Sequence, residues 1–349
     1  MGVNPINKRE PYLDNARAIA ILAVILSHTM SQIIYMRGDT SGLVAEHIIV
    51  MFDMPLFTIL AGYCGLPALL RINSIKDLYR YVWKQWKRIM LPAGFLSVLF
   101  YCLSGGILES ASKVIVKFFY PGLFWYLIML FIVFCYVGIG RLLVSKLQNK
   151  SFWVLCFFCL LAFAVKFVYV GEMMPYFVIG MILKNYKILD KLQFNYRMLI
   201  ALSSLCIIMI VLYESNYSHF INFYKLTFMD FLKSGGEILW IIRILVCSVL
   251  SLAIIFFCKV FNSIIPLLTK TGTITLPLYT ISSLFFYTFR LPVINRVVLH
   301  SDIFIWANST FSHRMISLTI VFVFITCMSG LIILIAEKFR WGRLLIIGK

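Results

Sequence analysis

The stretch that decides the fold runs from residue 16 to residue 35 and reads ARAIAILAVILSHTMSQIIY. An α-helix needs about 20 predominantly apolar residues to cross the hydrocarbon core of a bilayer. This stretch is long enough, so it predicts a membrane-spanning helix. Two of its side chains are costly in hydrocarbon: Arg17, where the run begins, and His28, well inside it.

The spacing between Arg17 and His28 places both side chains on one face of such a helix. Eleven steps of about 100° make roughly three turns plus 20°, and the axial separation is roughly 16 Å. An ionisable side chain inside a membrane is a functional hypothesis by default. The alternative is a histidine satisfied by a neighbouring helix and an arginine that merely ends the span.

Composition extends this prediction to the whole chain. Of 349 residues, 62% are hydrophobic and 13% charged, and the mean hydropathy is +0.94. These values predict an all-α, polytopic transmembrane helix bundle forming a single membrane-embedded domain over residues 1–349. The net charge of +18 does not indicate nucleic-acid binding, because the cations cluster in short loops between apolar runs. No metal-ligand pattern and no disulfide framework is present, since nearly all of the nine cysteines lie inside apolar runs.

The apolar runs predict about ten spans. They lie at 16–35, about 47–70, about 89–108, 120–140, 151–170, 173–187, 198–213, about 237–258, 273–292 and 315–336. Most lysines and arginines fall in the loops on the N-terminal side. The positive-inside rule therefore places both termini in the cytoplasm, as short ends of about 1–14 and 337–349. We expect a multi-pass protein of the plasma membrane.

An acid and a proline interrupt the second apolar run. Asp53 stands two residues before Pro55. A carboxylate near His28 would orient the imidazole and raise its basicity, and Pro55 frees backbone groups that membrane proteins tolerate mainly near cavities. The alternative reading places Asp53 at the outer end of the span, in the headgroup layer.

A basic segment follows the second run. Lys84, Lys87 and Arg88 have helical spacing and are expected to share a face. With Arg17 they would form a cationic mouth for a phosphorylated ligand. The alternative is a plain topology signal. Trp125 and Tyr126 lie near the outer boundary, where aromatic residues form an interfacial belt or stack on a sugar.

Several motifs, taken in order, resemble the acyltransferase 3 family of integral membrane O-acyltransferases, in particular its fucose 4-O-acetylase-like branch. They are Tyr12-Leu13-Asp14-Asn15, Arg17-x10-His28, Met54-Pro55-Leu56-Phe57 through Gly62-Tyr63, Lys84 to Pro92, Leu123 to Leu127, Pro175 to Gly180, and Gly272 to Tyr279. Two positions depart from the family pattern. Asp53 stands where the family usually has a histidine, and the basic segment has lysines where arginine is common.

The resemblance implies transfer of an acyl group, expected to be acetyl, from cytoplasmic acyl-CoA to a sugar hydroxyl. The acceptor would be an extracytoplasmic or lipid-linked cell-surface polysaccharide, which makes the protein a cell-envelope O-acetyltransferase. Arg17, Lys84, Lys87 and Arg88 would bind the donor phosphates, and His28 with Asp53 would be catalytic. Trp125 and Tyr126 would bind the acceptor. Acetyl-CoA is then a substrate, and no permanently bound cofactor is expected.

Two other classes stay open from the residues alone. A transporter or lipid-linked-sugar flippase would use His28 and Asp53 in a proton or substrate pathway. A sensor or assembly scaffold would bind acyl-CoA without turnover. The expected partners are acyl-CoA, the sugar acceptor and membrane lipids.

Overall fold

The computed structural model describes most of the chain. The described residues are 10–33, 43–104, 111–119, 124–145, 151–164, 169–191, 196–217, 237–261, 266–289, 306 and 309–348. Within them every regular element is a helix. The predicted all-helical class is therefore confirmed.

The helices are numbered here in chain order. They are α1 (Pro11–Ile33), α2 (Leu43–Leu69), α3 (Ile75–Gln85), α4 (Leu91–Leu103), α5 (Ala111–Phe119), α6 (Trp125–Val144), α7 (Ser151–Leu160), α8 (Val170–Asn185), α9 (Ile188–Lys191), α10 (Tyr196–Tyr217), α11 (Glu237–Val260), α12 (Pro266–Thr273), α13 (Thr275–Phe289) and α14 (Phe311–Lys338). A π-helical turn, Trp86–Met90, joins α3 to α4, and a second one, Arg343–Ile347, lies near the C-terminus.

Six helical segments among the described residues are long and apolar enough to cross a membrane. They are Pro11–Ser31, Ile48–Leu69, Ile75–Leu103, Trp125–Val144, Trp240–Val260 and Ser312–Lys338. Helical structure also coincides with the shorter predicted runs, such as α8 and α13. The count of about ten spans and the cytoplasmic position of the termini stay predictions, and residues 1–9 and 349 lie outside the described residues.

Helix α1 lies at the centre of the bundle. Its apolar window is 72% buried inside the protein, against 22% for α14. Small side chains let other helices come close, since Ala16, Ala18 and Ala20 are fully buried, and the larger Ile21 and Ile25 are fully buried as well. Helix α1 packs against α2, α11, α12, α13 and α14. A residue on α1 is therefore surrounded by other helices.

Among the described helices, α2 and α8 share the most extensive contact, and glycines allow their close approach. A Cβ added to Gly62 would overlap the carbonyl oxygen of Phe177, and one added to Gly180 would overlap that of Ile59. Because neither glycine has a side chain, the two backbones approach closely, as small residues permit in membrane helix pairs. Both glycines belong to the motifs that carry the family resemblance.

Candidate active site along the central helix

Arg17 is held in place at the N-terminal end of α1. Its Nη1 lies 2.7 Å from Oδ1 of Asp14, which is 1% exposed, whereas the Arg17 side chain is 24% exposed. Its Nη2 donates to Sγ of Cys64 on α2, at 2.9 Å. The guanidinium is thus anchored on one side by a buried carboxylate and remains partly open to solvent on the other. A partly open guanidinium can still bind an anion.

Other charged residues gather at this end of the bundle, which we call the Arg17 end. Lys184, at the end of α8, lies 3.5 Å from Oε1 of Glu10 and 4.5 Å from the centre of the Tyr63 ring. Tyr12 donates to the same glutamate at 2.6 Å. The C-terminal ends of α2 and α8 therefore meet the N-terminal end of α1. Sequence analysis did not assign Glu10 or Lys184 to the site.

Helix α12 closes over the start of α1. Thr269 Oγ1 donates to Oδ1 of Asn15 at 2.7 Å, and Asn15 is 3% exposed. A Cβ on Gly272 would overlap the carbonyl oxygen of Asp14, so this position requires glycine for close approach. Helix α12 therefore fixes the turn of α1 that carries Asp14, the partner of Arg17.

His28 lies three turns further along the same unbroken helix. Its ring centre is 5.3 Å from that of Phe286 on α13, and its side chain is half-buried. Helix α1 spans both Arg17 and His28, so the spacing used in the sequence argument applies to an observed helix. The catalytic role of His28 stays a prediction.

Asp53 is buried inside the protein. Its side chain is 4% exposed and accepts a hydrogen bond from the Met54 amide. It interacts electrostatically with Tyr126 on α6 and Tyr279 on α13. Asp53 and Tyr126, predicted for different roles, therefore share one buried polar region. Its predicted pairing with His28 stays a prediction, because the described hydrogen bond of Asp53 is to Met54.

The two predicted acceptor-binding aromatics differ in environment. Tyr126 is 4% exposed and its hydroxyl lies 3.3 Å from Oγ1 of Thr58. Trp125 is half-buried and its ring centre is 5.1 Å from that of Tyr169. Tyr126 points into the polar interior, whereas Trp125 lies nearer the outside.

Sequence analysis missed a buried carboxylate, Glu172, near the start of α8. Glu172 is 5% exposed, and both it and Arg243, which is 8% exposed, interact electrostatically with Tyr176. Cys247 interacts with Tyr176, Arg243 and Asp53, which links this group to the Asp53 region. One signal could have found Glu172: like Asp53, it precedes a proline within an apolar run. The described residues contain no group of three or more His, Cys, Asp or Glu side chains able to hold a metal ion.

The basic segment covers the last turn of α3 and the π-helical turn that follows it. Lys84 lies in the last turn of α3, and Lys87 and Arg88 lie in the π-helical turn Trp86–Met90. All three are exposed, and Lys87 Nζ lies 5.1 Å from the centre of the Trp83 ring. The described contacts of Arg17 are instead on α1 and α2. A single mouth formed by all four cations stays a prediction.

The chain belongs to the acyltransferase 3 family, whose acyltransferase domain matches residues 10–340. The predicted family and the predicted class of enzyme, an O-acyltransferase, are therefore confirmed. A nodulation protein, NolL of Mesorhizobium japonicum, is 26% identical over 161 residues, which make up 43% of this chain and 39% of that protein. The chain thus aligns with about two fifths of that relative's length. No solved structure matches, and the fucose 4-O-acetylase-like branch stays a prediction.

Proposed function

We propose that this protein transfers an acetyl group from cytoplasmic acetyl-CoA to a hydroxyl of an extracytoplasmic or lipid-linked polysaccharide sugar. The observation that carries the proposal is the central helix α1. It holds a partly open guanidinium, Arg17, at one end and a half-buried imidazole, His28, three turns away. Acetyl-CoA is an extended molecule with phosphates near one end and the thioester at the other. Its phosphates could therefore reach Arg17 while its thioester reaches His28.

On this proposal Arg17 is the specific contact for the CoA phosphates, because guanidinium groups bind phosphate with paired hydrogen bonds. The Asp14 carboxylate keeps Arg17 oriented. Arg88, exposed in the π-helical turn, supplies a second cation. On this proposal the Arg17 end faces the cytoplasm, where acyl-CoA is found, as the positive-inside rule predicts, and the protein lies in the plasma membrane.

The chemistry proposed for His28 is general base catalysis. Imidazole has a pKa suited to accepting a proton near neutral pH. The acceptor hydroxyl gives its proton to His28 as its oxygen forms a C–O bond with the thioester carbonyl. The C–S bond then breaks, and CoA leaves as a thiol after its sulfur takes the proton held by His28, which restores the neutral imidazole. Asp53, Tyr126 and the half-buried Trp125 would bind and orient the acceptor.

An exposed thiol beside Arg17 allows a direct test of donor binding. Cys64 is exposed and within hydrogen-bond distance of Arg17, while Cys327 is the other exposed cysteine. In a Cys327→Ala background, acetyl-CoA should slow maleimide labelling of Cys64, and dephospho-CoA should protect less. In the same background, Arg17→Gln should abolish the protection of Cys64 by acetyl-CoA. Equal labelling rates with and without acetyl-CoA would contradict the proposed donor site.

A vesicle experiment separates the enzyme from a transporter. Inside-out vesicles given labelled acetyl-CoA should label a sugar acceptor in the lumen, release CoA outside and accumulate no acetyl-CoA within. His28→Ala should abolish the labelling. If an intact solute instead enters with a proton gradient and no acyl group changes hands, the protein is a transporter.

A further inference from the structure

The outer face of α3 combines stacked aromatic rings with a row of cations. Tyr79 is 66% and Trp83 44% exposed. Their rings are parallel within 5°, with centres 6.5 Å apart, and Trp83 is parallel to Trp86 within 2°, at 5.1 Å. Lys87 Nζ lies over the Trp83 ring. The parallel rings of Tyr79 and Trp83 form a partly apolar surface that the described helices leave exposed.

The cations lie beside this surface at regular spacing. Ile75, which is 77% exposed, Tyr79 and Trp83 are four residues apart and so share one face. Lys76, Arg80 and Lys84 are each one residue further along and form the adjacent stripe, and all three are exposed. The one acidic residue of the segment, Asp77, is hydrogen-bonded to Ser74 at 2.7 Å. The face is therefore aromatic along its middle and positive along its edge.

The length of the helix places this face at the membrane surface. Ile75–Leu103 forms one segment of 29 residues, or about 43 Å at about 1.5 Å per residue. The hydrocarbon core is about 30 Å thick. Every charged residue of the segment lies between Lys76 and Arg88, so this end extends into the headgroup layer.

We propose that the outer face of α3, formed by Tyr79, Trp83 and the stripe Lys76, Arg80 and Lys84, binds anionic phospholipid headgroups. Tryptophan and tyrosine rings lie preferentially at headgroup level. Basic clusters next to a membrane span attract anionic lipids. Charge complementarity selects the occupant: net positive charge beside an apolar ring surface fits an anionic headgroup with its attached glycerol and upper acyl chain. Lys84 then serves the lipid contact rather than the donor site.

The test uses the full chain in micelles containing a mixture of phosphatidylglycerol and phosphatidylcholine, with retained lipids counted by native mass spectrometry. The wild-type protein should retain more phosphatidylglycerol than phosphatidylcholine. The triple variant Lys76→Gln, Arg80→Gln, Lys84→Gln should lose at least threefold of that retention. A matched triple, Lys187→Gln, Lys191→Gln, Arg197→Gln, removes the same charge from other exposed positions and should lose less than half. Equal losses in the two triples would overturn the proposal.

Two further measurements test the role of the rings and distinguish a lipid headgroup from a soluble phosphate. Tyr79→Leu with Trp83→Leu keeps apolar area but removes the rings, and should also reduce phosphatidylglycerol retention at least twofold; wild-type retention would overturn the proposal. Excess acetyl-CoA should leave bound phosphatidylglycerol in place. Displacement by acetyl-CoA would assign the face to a soluble phosphate instead. Because these measurements involve no acyl transfer, their failure leaves the proposed enzyme activity standing. All the substituted side chains are exposed, and thermal unfolding of each variant checks that the fold is kept.

Discussion

The same substitution, glycine to alanine, should have opposite effects at two positions of the bundle. Gly180 on α8 faces the backbone of α2, where a Cβ would overlap the Ile59 carbonyl oxygen and lie 2.8 Å from the Tyr63 nitrogen. Gly330 on α14 has nothing within 4 Å of the added atom. Alanine in a helix interior is favoured over glycine by about 0.5–1 kcal/mol. Gly330→Ala should therefore raise stability by up to about that amount.

At Gly180 the steric overlap of the added methyl group decides whether the substitution raises or lowers stability. Overpacking costs about 1–3 kcal/mol when side chains can adjust. Here the obstructing atoms belong to the backbone of α2, so two whole helices must separate. We expect Gly180→Ala to lower stability by about 2 kcal/mol net, after subtracting the gain in helix propensity of up to about 1 kcal/mol.

Thermal unfolding in one detergent, followed by a thiol-reactive dye that reports exposure of the buried cysteines, measures both variants. At about 2 °C per kcal/mol for a large domain, the unfolding midpoints of the two variants should differ by about 5 °C. If Gly180→Ala and Gly330→Ala shifted the midpoint equally, the close approach of α2 and α8 would be refuted.

Three further predictions concern the polar residues. His28→Asn should lower the rate of acyl transfer at least about 100-fold, as loss of a general base does. Acetyl-CoA should still protect Cys64 from maleimide, and activity near wild type would remove His28 from the mechanism. Asp14→Asn should raise KM for acetyl-CoA more than it lowers kcat, because it frees Arg17 from its anchor, and an unchanged KM in steady-state assays would contradict this. Glu172→Ala should destabilise the protein by about 2 kcal/mol, since it leaves a cavity where a buried side chain packed, whereas Glu172→Gln, which keeps nearly the same volume, should lose less in the same unfolding assay; equal losses would contradict a packing role.

Much of this protein could be predicted from the sequence because hydropathy acts locally. Whether a stretch enters the bilayer depends on its own side chains, so the apolar runs, their helical state and the membrane class followed from composition and period. The relation of Arg17 to His28 was likewise predictable, since both belong to one regular helix whose geometry is known in advance. The family followed from motifs that lie in order along the chain.

The environment of each site residue was decided by how the helices pack. Cys64 as a partner of Arg17, and Lys184 as a partner of Glu10, join positions far apart in sequence, which no local pattern specifies. Glu172 looked like the end of a span. It is 5% exposed in the folded chain, and no local pattern specifies that burial.

The basic segment shows the same division. Its composition predicted a cationic surface, and the structure has one. The contacts of each cation depended on tertiary structure: Lys87 Nζ lies over the Trp83 ring, a contact that composition does not specify. Sequence alone therefore determined which segments are long and apolar enough to cross a membrane and which ionisable groups they carry. The tertiary structure decided which of those groups meet, because contacts between helices depend on where their backbones approach closely.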